Sequence, residues 1–343
     1  MRLGLLGAGR IGAVHAETLT ALEAVDELVV ADAAPGAARA LAERLGGPGA
    51  GVSAVDGAAR VLAAGVDGVV VAAATDAHPE LVLAAVAAGL PVFCEKPLAR
   101  DPRDAAAVAE RVRASGVPVQ VGYNRRFDAG VAAVRDAVAS GALGRVHTVR
   151  STTLDPAPPP PAYLAASGGI FRDCAVHDLD AVRFVTGREV VEVYATGDDG
   201  GDPVFARHGD VSTSAAVLTL DDGALALVSN TRCNPRGYDV RLEVHGTADS
   251  VAAGLDDRLP LRSLEPGATF PAGPPHEFFV DRFRDAYRAE LAAFTGVVAG
   301  TRPSPCTVDD ALEAGWLAEA CDLSLREHRP VRVAEVRPAG ARA

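Results

Sequence analysis

The sequence predicts an α/β protein, with a doubly wound parallel sheet in the first part of the chain and an α+β domain with a large open, mostly antiparallel sheet in the second. Up to residue 122, short apolar runs alternate with alanine-rich segments of helical periodicity, which is typical of βαβ units. After residue 122, strand patterns gather together and include a hairpin signal at Asp221-Asp222-Gly223. We therefore expect two domains, 1–122 and 123–343, a number that the length of 343 residues also favours.

The predicted elements follow these patterns. In the first domain, strands are expected at 2–6, 27–31, 68–72, 92–94 and 117–121, and helices at 11–22, 36–45, 79–88 and 102–115. In the second domain, strands are expected at 146–154, 190–196, 212–220, 224–231 and 240–245, and helices at 130–140, 170–185, 279–298 and 308–326. The four prolines 158–161 predict a loop after the strand that ends at 154, because consecutive prolines cannot continue a ladder or a helix.

The composition excludes several classes of protein. The 45 acidic and 33 basic residues give a formal charge of −12, which repels phosphate backbones and anionic lipid, so neither nucleic acid nor a membrane is expected as a partner. No apolar run approaches the roughly 20 residues that a membrane-spanning helix needs. The five cysteines are odd in number and widely spaced, which indicates a reduced protein without a metal site. We expect a cytoplasmic location.

A glycine-rich turn lies between the first predicted strand and the first predicted helix. Its sequence, Gly7-Ala8-Gly9-Arg10-Ile11-Gly12, matches the dinucleotide-binding pattern, in which a pyrophosphate approaches the helix N-terminus. Asp32 stands twenty residues past Gly12, at the end of the second strand, where a carboxylate accepts hydrogen bonds from ribose hydroxyls and repels a 2′-phosphate. We expect NAD as the cofactor. NADP is the alternative cofactor, because Arg39 is close in sequence. The alternative to a cofactor site is a glycine-rich turn followed by a surface aspartate, with no function.

Lys96 is the first candidate for chemistry. It belongs to Glu95-Lys96-Pro97 and follows the predicted strand 92–94, at the carboxyl end where open α/β sheets bind ligands. An ammonium group there can hydrogen-bond a substrate oxygen and stabilise its negative charge as a hydride departs. Pro97 is expected to fix the backbone beside it, with a cis bond as one option. A surface lysine at the start of a loop is the alternative.

Asp173 and His177 are the second candidate. They are four residues apart on the predicted helix 170–185, so both side chains project from one face. A carboxylate that orients an imidazole is the usual arrangement of a general base. Asp180 lies three residues beyond His177 and competes for the same ring. An aspartate–histidine pair on a helix surface is the alternative.

Taken together, these motifs resemble the Gfo/Idh/MocA oxidoreductase family over essentially the full length of the chain, and most of all its inositol 2-dehydrogenases and related sugar dehydrogenases. The matching segments are Gly7 to Gly12, Asp32, Thr75-Asp76-Ala77-His78-Pro79-Glu80, Glu95-Lys96-Pro97, residues 120–128, and Asp173 through His177 to Asp180. The resemblance implies an NAD-binding Rossmann domain, followed by a domain for substrate binding and oligomerisation.

The resemblance also implies roles for individual residues. Lys96, Asp173 and His177 form the catalytic set, with His177 as the proton acceptor and Lys96 bound to the reacting oxygen. The cofactor site comprises Gly7, Gly9, Arg10, Ile11, Gly12, Asp32, Thr75, His78, Glu95 and Lys96. The substrate site comprises Lys96, Arg125, Asp173, His177 and Tyr238, and no metal is involved. The second sheet is expected to pack against its copy in a homodimer or homotetramer.

The expected function is the transfer of a hydride from a secondary alcohol of a cyclitol or sugar to the nicotinamide of NAD. One segment departs from the inositol dehydrogenases, which carry a further substrate-binding histidine where this chain has the sequence Ser-Thr-Thr-Leu-Asp at 151–155. Two explanations stay open: Asp155 or Thr153 replaces this histidine, or the substrate is another cyclitol or an aldopyranose. Two other functions stay open: a biosynthetic, NAD(P)H-dependent keto-sugar reductase and a non-catalytic NAD-binding regulator.

Overall fold

The fold is described by a computed structural model that covers residues 1–271 and 273–338. It contains a parallel sheet and a mostly antiparallel sheet, so the predicted fold class is confirmed. The chain divides into two compact units: Met1–Phe127 with Asp285–Leu312, and Asp128–Arg284 with the segment from Glu313 onward. The domain boundary at residue 122 stays a prediction.

The first unit is built on a six-stranded sheet in the order β3-β2-β1-β4-β5-β6, with every neighbouring pair parallel. The strands are β1 Arg2–Leu6, β2 Glu27–Ala31, β3 Val52–Ala54, β4 Gly68–Val71, β5 Val92–Glu95 and β6 Val119–Gly122. The helices that alternate with them are α1 Arg10–Thr20, α2 Ala37–Arg44, α3 Ala58–Leu62, α4 His78–Ala87 and α5 Pro102–Ser115. The sequence analysis missed β3, because three residues are too few to show a period.

The second unit is built on a seven-stranded sheet in the order β12-β11-β7-β10-β9-β8-β13, in which β7 and β10 pair in parallel. The strands are β7 Val146–Leu154, β8 Val190–Asp198, β9 Thr213–Leu220, β10 Leu225–Thr231, β11 Asp239–Gly246, β12 Ser250–Ala253 and β13 Val331–Arg332. The remaining helices are α6 Ala129–Ala139, α7 Pro161–Ser167, α8 Val176–Thr186, α9 Pro203–Arg207, α10 Phe279–Arg282, α11 Arg284–Val298, α12 Val308–Glu327 and α13 Val333–Val336.

Three predicted elements differ from the structure in detail. The proline run was expected to be a loop throughout, but α7 begins at Pro161, because the first helical position needs no amide hydrogen. The predicted helix 279–298 is divided at Phe283, whose φ of −114° leaves the helical region. The predicted helix 170–185 begins with a π-helical turn, Phe171–Ala175, before α8 continues it.

Helix α11 completes the core of the first unit, although it comes late in the chain. Leu291, Phe294 and Val297 belong to the same buried cluster as the strands of the parallel sheet. The Phe294 ring meets the Phe93 ring edge-on, with 5.9 Å between the centroids. Gly68 permits this approach, because a Cβ there would lie 2.7 Å from a methyl carbon of Val298. The core of this unit therefore needs a segment distant in sequence.

One face of the second sheet is buried and the other is exposed. Residues along β9 and β10 alternate between buried and exposed, which is the pattern of a sheet covered on one side. Helix α8 packs against β7 and β10. On the exposed face, Tyr194, Val217 and Leu227 are cross-strand neighbours and all three are exposed. Within the described ranges, no helix has both the length and the apolar character needed to cross a membrane.

Candidate active site

The glycine-rich turn has the backbone geometry that a dinucleotide requires. Gly7 has a φ of 112°, and a Cβ there would lie 2.5 Å from the Ala72 main chain, so no other residue fits. A Cβ at Gly12 would collide with the Gly7 carbonyl, which shows how closely α1 packs against β1. A Cβ at Gly9 would meet nothing within 4 Å, and among the described residues no side chain caps the N-terminus of α1. The turn therefore fits the pyrophosphate of a dinucleotide. Arg10 is exposed and Ile11 is half-buried within it.

Asp32 follows β2 and is tied to this turn. Its Oδ2 accepts the Ala8 amide hydrogen at 2.5 Å, and its Oδ1 accepts the Ala34 amide hydrogen at 2.6 Å. Each carboxylate oxygen keeps a second lone pair for another donor. The side chain is thus held in place and can still accept hydrogen bonds from ribose hydroxyls.

We expect Asp32→Ser to weaken the preference for NADH over NADPH by about tenfold or more, because the change removes the charge that repels a 2′-phosphate. Calorimetric dissociation constants for the two cofactors measure the effect without any substrate. Asp104→Ser, at an exposed position of α5, is the control for loss of one negative charge. An unchanged ratio in Asp32→Ser would show that Asp32 does not contact the ribose.

The loops after β4 and β5 are fastened to one another. His78 is buried, with Nδ1 2.8 Å from the Pro97 carbonyl oxygen and Nε2 3.1 Å from that of Ala73. Arg100 donates two hydrogen bonds to the Asp76 carboxylate, at 2.7 and 2.8 Å. Thr75 is half-buried at the start of the short 3-10 turn Thr75–Ala77. These contacts hold both loops at the carboxyl edge of the sheet.

Lys96 lies in the second of these loops, directly after β5. Its peptide bond to Pro97 is cis, one of the options that the sequence left open. Its side chain is half-buried, whereas the preceding Glu95 is buried. Lys96 is also the single lysine among the 33 lysines and arginines of the chain. This count is a signal that the motif analysis did not use.

Asp173 and His177 lie in consecutive turns of different geometry. Asp173 belongs to the π-helical turn, and His177 belongs to the first turn of α8. The Asp173 carboxylate accepts a hydrogen bond from the Tyr163 hydroxyl at 2.8 Å on Oδ1 and one from Arg232 at 2.9 Å on Oδ2. Single-turn π-helices are frequent at functional sites. Because Tyr163 and Arg232 both lie outside this helix, the Asp173 carboxylate is oriented by partners that the spacing of Asp173 and His177 did not predict.

Arg232 is the residue of this site that the sequence analysis missed most clearly. It is 1% exposed, and besides Asp173 it donates to Asp210 Oδ2 at 3.3 Å. Burial opposes its charge, but Asp173 and Asp210 hold the pKa of Arg232 above its ordinary value. Arg232 follows a strand and is 59 residues from Asp173, so no local pattern indicates the pairing.

A buried carboxylate anchors the helix that carries His177. Asp178 is fully buried and accepts hydrogen bonds from Ser151 at 2.5 Å, Thr153 at 2.8 Å and Asn230 at 2.8 Å. A buried carboxylate with several donors is well satisfied and specifies one orientation of its helix. The Thr153 hydroxyl, one of the two predicted replacements for the missing histidine, is therefore engaged with Asp178.

The remaining predicted site residues are buried and packed. The Tyr238 ring meets the Phe278 and Phe283 rings edge-on, each with 6.2 Å between centroids, and its amide donates to the His276 carbonyl at 2.8 Å. Arg125 is buried in the 3-10 turn Asn124–Phe127. Asp180 is buried. Burial opposes the charge of Arg183, but Glu189, Glu313 and Asp180 together raise the pKa of Arg183 above its ordinary value. In the described part of the chain, no group of three or more His, Cys, Asp or Glu residues is arranged to hold a metal ion.

Comparison with known proteins gives matches along most of the chain. Residues 1–123 match the family model described as an oxidoreductase family with an NAD-binding Rossmann fold, and residues 131–252 match the GFO/IDH/MocA C-terminal domain. The chain is 38% identical to inositol 2-dehydrogenase of Rhizobium meliloti, covering 97% of this chain and 99% of the relative. It is 40% identical to myo-inositol dehydrogenase Hyg17 of Streptomyces leeuwenhoekii, covering 93% and 96%.

A solved structure gives the same result. The scyllo-inositol dehydrogenase of Lactobacillus casei, with bound NAD(H) and scyllo-inositol, matches with a TM-score of 0.86 and 26% identity, over 97% of this chain and 99% of that one. The parallel sheet, the glycine-rich turn and Asp32 define an NAD-binding oxidoreductase. The chain belongs to the Gfo/Idh/MocA oxidoreductase family, which confirms the resemblance found in the sequence.

Proposed function

We propose that this protein is an NAD-dependent dehydrogenase that oxidises a secondary alcohol of a cyclitol to the ketone. The observation that carries the proposal is Lys96, the one lysine of the chain, which lies at the carboxyl end of β5. In open α/β sheets, ligands bind at this edge. Relatives named as inositol dehydrogenases support a cyclitol as the substrate, and an aldose is the alternative.

Lysine suits the proposed task better than arginine does. Its ammonium is a compact point charge with three donors on a flexible stem, whereas a guanidinium is planar and broad. Such a charge can follow the substrate oxygen as negative charge develops on it, and it stabilises the transition state more than the bound alcohol. All the other lysine-or-arginine positions of the chain carry arginine. The lysine at 96 is consistent with a need for a compact ammonium group there.

The proton of the reacting hydroxyl is assigned to His177. Bound NAD would accept the hydride that leaves the substrate carbon. The imidazole of His177 takes the hydroxyl proton, and Asp173 orients the imidazole as its carboxylate partner. Arg232 and Tyr163 hold the Asp173 carboxylate, so its direction is fixed before the substrate binds.

The specificity for one polyol is assigned to Arg125, Asp155 and Tyr238. A site that hydrogen-bonds each hydroxyl rejects an analogue that lacks one, because the buried polar group then loses its partner. Residues 151–155 contain no histidine, in contrast to the inositol dehydrogenases that the sequence resembles. We therefore propose a cyclitol substrate without assigning myo-inositol itself.

A substrate panel tests the function directly. NADH formation is measured with myo-, scyllo- and chiro-inositol and with common aldoses, each with NAD and with NADP. We expect one cyclitol with NAD to give the highest kcat/KM. NAD binding without oxidation of any alcohol would favour a regulator, and efficient reduction of a keto-sugar with slow alcohol oxidation would favour the biosynthetic direction.

A homodimer or homotetramer through the second sheet is part of the proposal. The exposed row of Tyr194, Val217 and Leu227 gives this face an apolar centre, and Arg150, which pairs with Glu243 at 3.4 Å, borders it. An apolar patch with a charged rim is typical of a protein interface. Sedimentation equilibrium is expected to give a multiple of the 35.1 kDa chain mass, and a mass of one chain would contradict the assembly.

A cytoplasmic location is also proposed. All five cysteines are free thiols in the structure, and four of them are buried. Free thiols persist in reducing compartments. Cell fractionation checks this assignment, and recovery from an oxidising compartment would contradict it.

A further inference from the structure

A buried histidine lies behind the loop that carries Lys96. His15 is on α1, six residues after Gly9, and is fully buried. Its Nε2 lies 2.6 Å from Oε1 of Glu95, the last residue of β5, which is 80 residues away in the sequence. The ring meets Phe93 edge-on at 5.4 Å and Tyr287 at 5.8 Å, so its orientation is fixed by packing. The proposed function gives this histidine no role.

Glu95 connects His15 to Lys96. While one carboxylate oxygen meets His15, the other, Oε2, accepts the main-chain N–H of Lys96 at 3.2 Å. Gly122 lies opposite Glu95 on β6, and a Cβ there would come within 3.3 Å of Oε2. Because residue 122 has no side chain, β6 leaves space for the Glu95 carboxylate.

A second buried acidic residue, Glu290 on α11, lies near Glu95. Glu290 is fully buried, and within residues 1–271 and 273–338 its side-chain oxygens have no hydrogen-bond partner. Burial, and then the charge of Glu95, raise the pKa of Glu290 well above its ordinary value, which favours its neutral form. The Glu95 side chain, buried beside Glu290, has His15 and the Lys96 amide as hydrogen-bonding contacts.

We propose that His15 is a positioning residue for Lys96: it holds the Glu95 carboxylate, which in turn holds the main chain of Lys96. The inference rests on the proposed function in one respect, the catalytic role of Lys96. A displacement of about 1 Å in a catalytic group can cost 10²-fold in rate. The contact of His15 with Glu95 therefore matters for catalysis, although His15 itself touches neither the substrate nor the cofactor.

The single lysine allows a test that needs no turnover. Protein grown with ¹³Cε-lysine gives one side-chain signal, from Lys96, and this signal is recorded without cofactor or substrate. We expect His15→Leu to shift or split the signal, because Glu95 no longer holds the Lys96 backbone in one position. His15→Gln keeps an amide donor and is expected to restore a signal close to that of the wild type. His15→Ala, which also lacks a donor, is the substitute for His15→Leu if the leucine variant does not fold.

Kinetics give the second readout. We expect His15→Leu to lower kcat by about tenfold or more, since the contact that holds the Glu95 side chain is lost, and the NAD dissociation constant to change by less than about threefold. Leu19→Ala is the matched control. Leu19 is fully buried on the same helix, one turn beyond His15, so the variant loses core packing without touching Glu95.

Three outcomes decide the proposal. A shifted Lys96 signal with lowered kcat in His15→Leu, recovery in His15→Gln, and neither change in folded Leu19→Ala support it. A signal and kcat in His15→Leu that match the wild type, or equal effects in Leu19→Ala, overturn it. If the wild type oxidises no alcohol, the proposed function fails, and the Lys96 signal still decides whether His15 positions the lysine.

Discussion

Lys96→Met is expected to lower kcat by at least about a hundredfold while NADH still binds, because removal of one preorganised charge at a developing oxyanion has effects of this size. Methionine keeps much of the length of the side chain and removes its charge. The loss should therefore appear in kcat more than in cofactor affinity. Steady-state kinetics with the best substrate of the panel, together with calorimetric NADH binding, measure both quantities.

Lys96→Arg separates charge from shape. It restores a positive charge but places a planar guanidinium where a compact ammonium stood, so we expect only partial recovery over Lys96→Met. Arg103→Met, on the exposed face of α5, is the control for loss of a basic side chain elsewhere in the first unit. Near-normal turnover in Lys96→Met would remove Lys96 from the mechanism and leave the single lysine without an explanation.

His177→Gln is expected to lower kcat by about 10²- to 10⁴-fold, the usual contribution of a positioned general base. Glutamine keeps hydrogen-bonding atoms but cannot accept the hydroxyl proton at neutral pH. Added imidazole should restore part of the activity of His177→Ala, because it supplies the missing base in solution.

His147→Gln is the matched control for this experiment. His147 is exposed on β7, and its Nδ1 lies 3.0 Å from the hydroxyl of the neighbouring Thr148. We expect this variant to retain the wild-type rate. Similar rates in His177→Gln and His147→Gln would show that His177 is not the base and would return attention to Asp180 as a competing group.

The parallel sheet was the most predictable part of this protein. Strands such as β1 and β2 are four-fifths buried apolar residues bounded by glycine or by helical segments, and the sequence analysis gave their limits correctly. Short elements such as β3 and α7 were missed, because a few residues show no period and because a proline run obscures a helix start. Local patterns therefore predicted the framework of the fold.

The contacts of the candidate site were much less predictable. The sequence placed Lys96 directly after β5 and Asp173 in a helical segment. The partners that hold them, Arg232 for Asp173 and Glu95 with His15 for Lys96, come from contacts between distant segments. Periodicity reports which face of an element is buried, and it carries no information about which buried polar groups meet. The spacing of Asp173 and His177 also assumed a regular α-helix, whereas Asp173 lies in a π-helical turn.

The late position of α11 has a consequence for the synthesis of the chain. The first unit contains residues 1–127 and 285–312, so 312 − 127 = 185 further residues must be made before its core is complete. At translation rates of about 5–20 residues per second, this delay is roughly 10 to 40 seconds. During that interval, the nascent parallel sheet lacks Leu291, Phe294 and Val297 and exposes Phe93 on the ribosome. The core of the cofactor-binding unit is therefore complete only after α11 has been made, long after the last strand of its sheet.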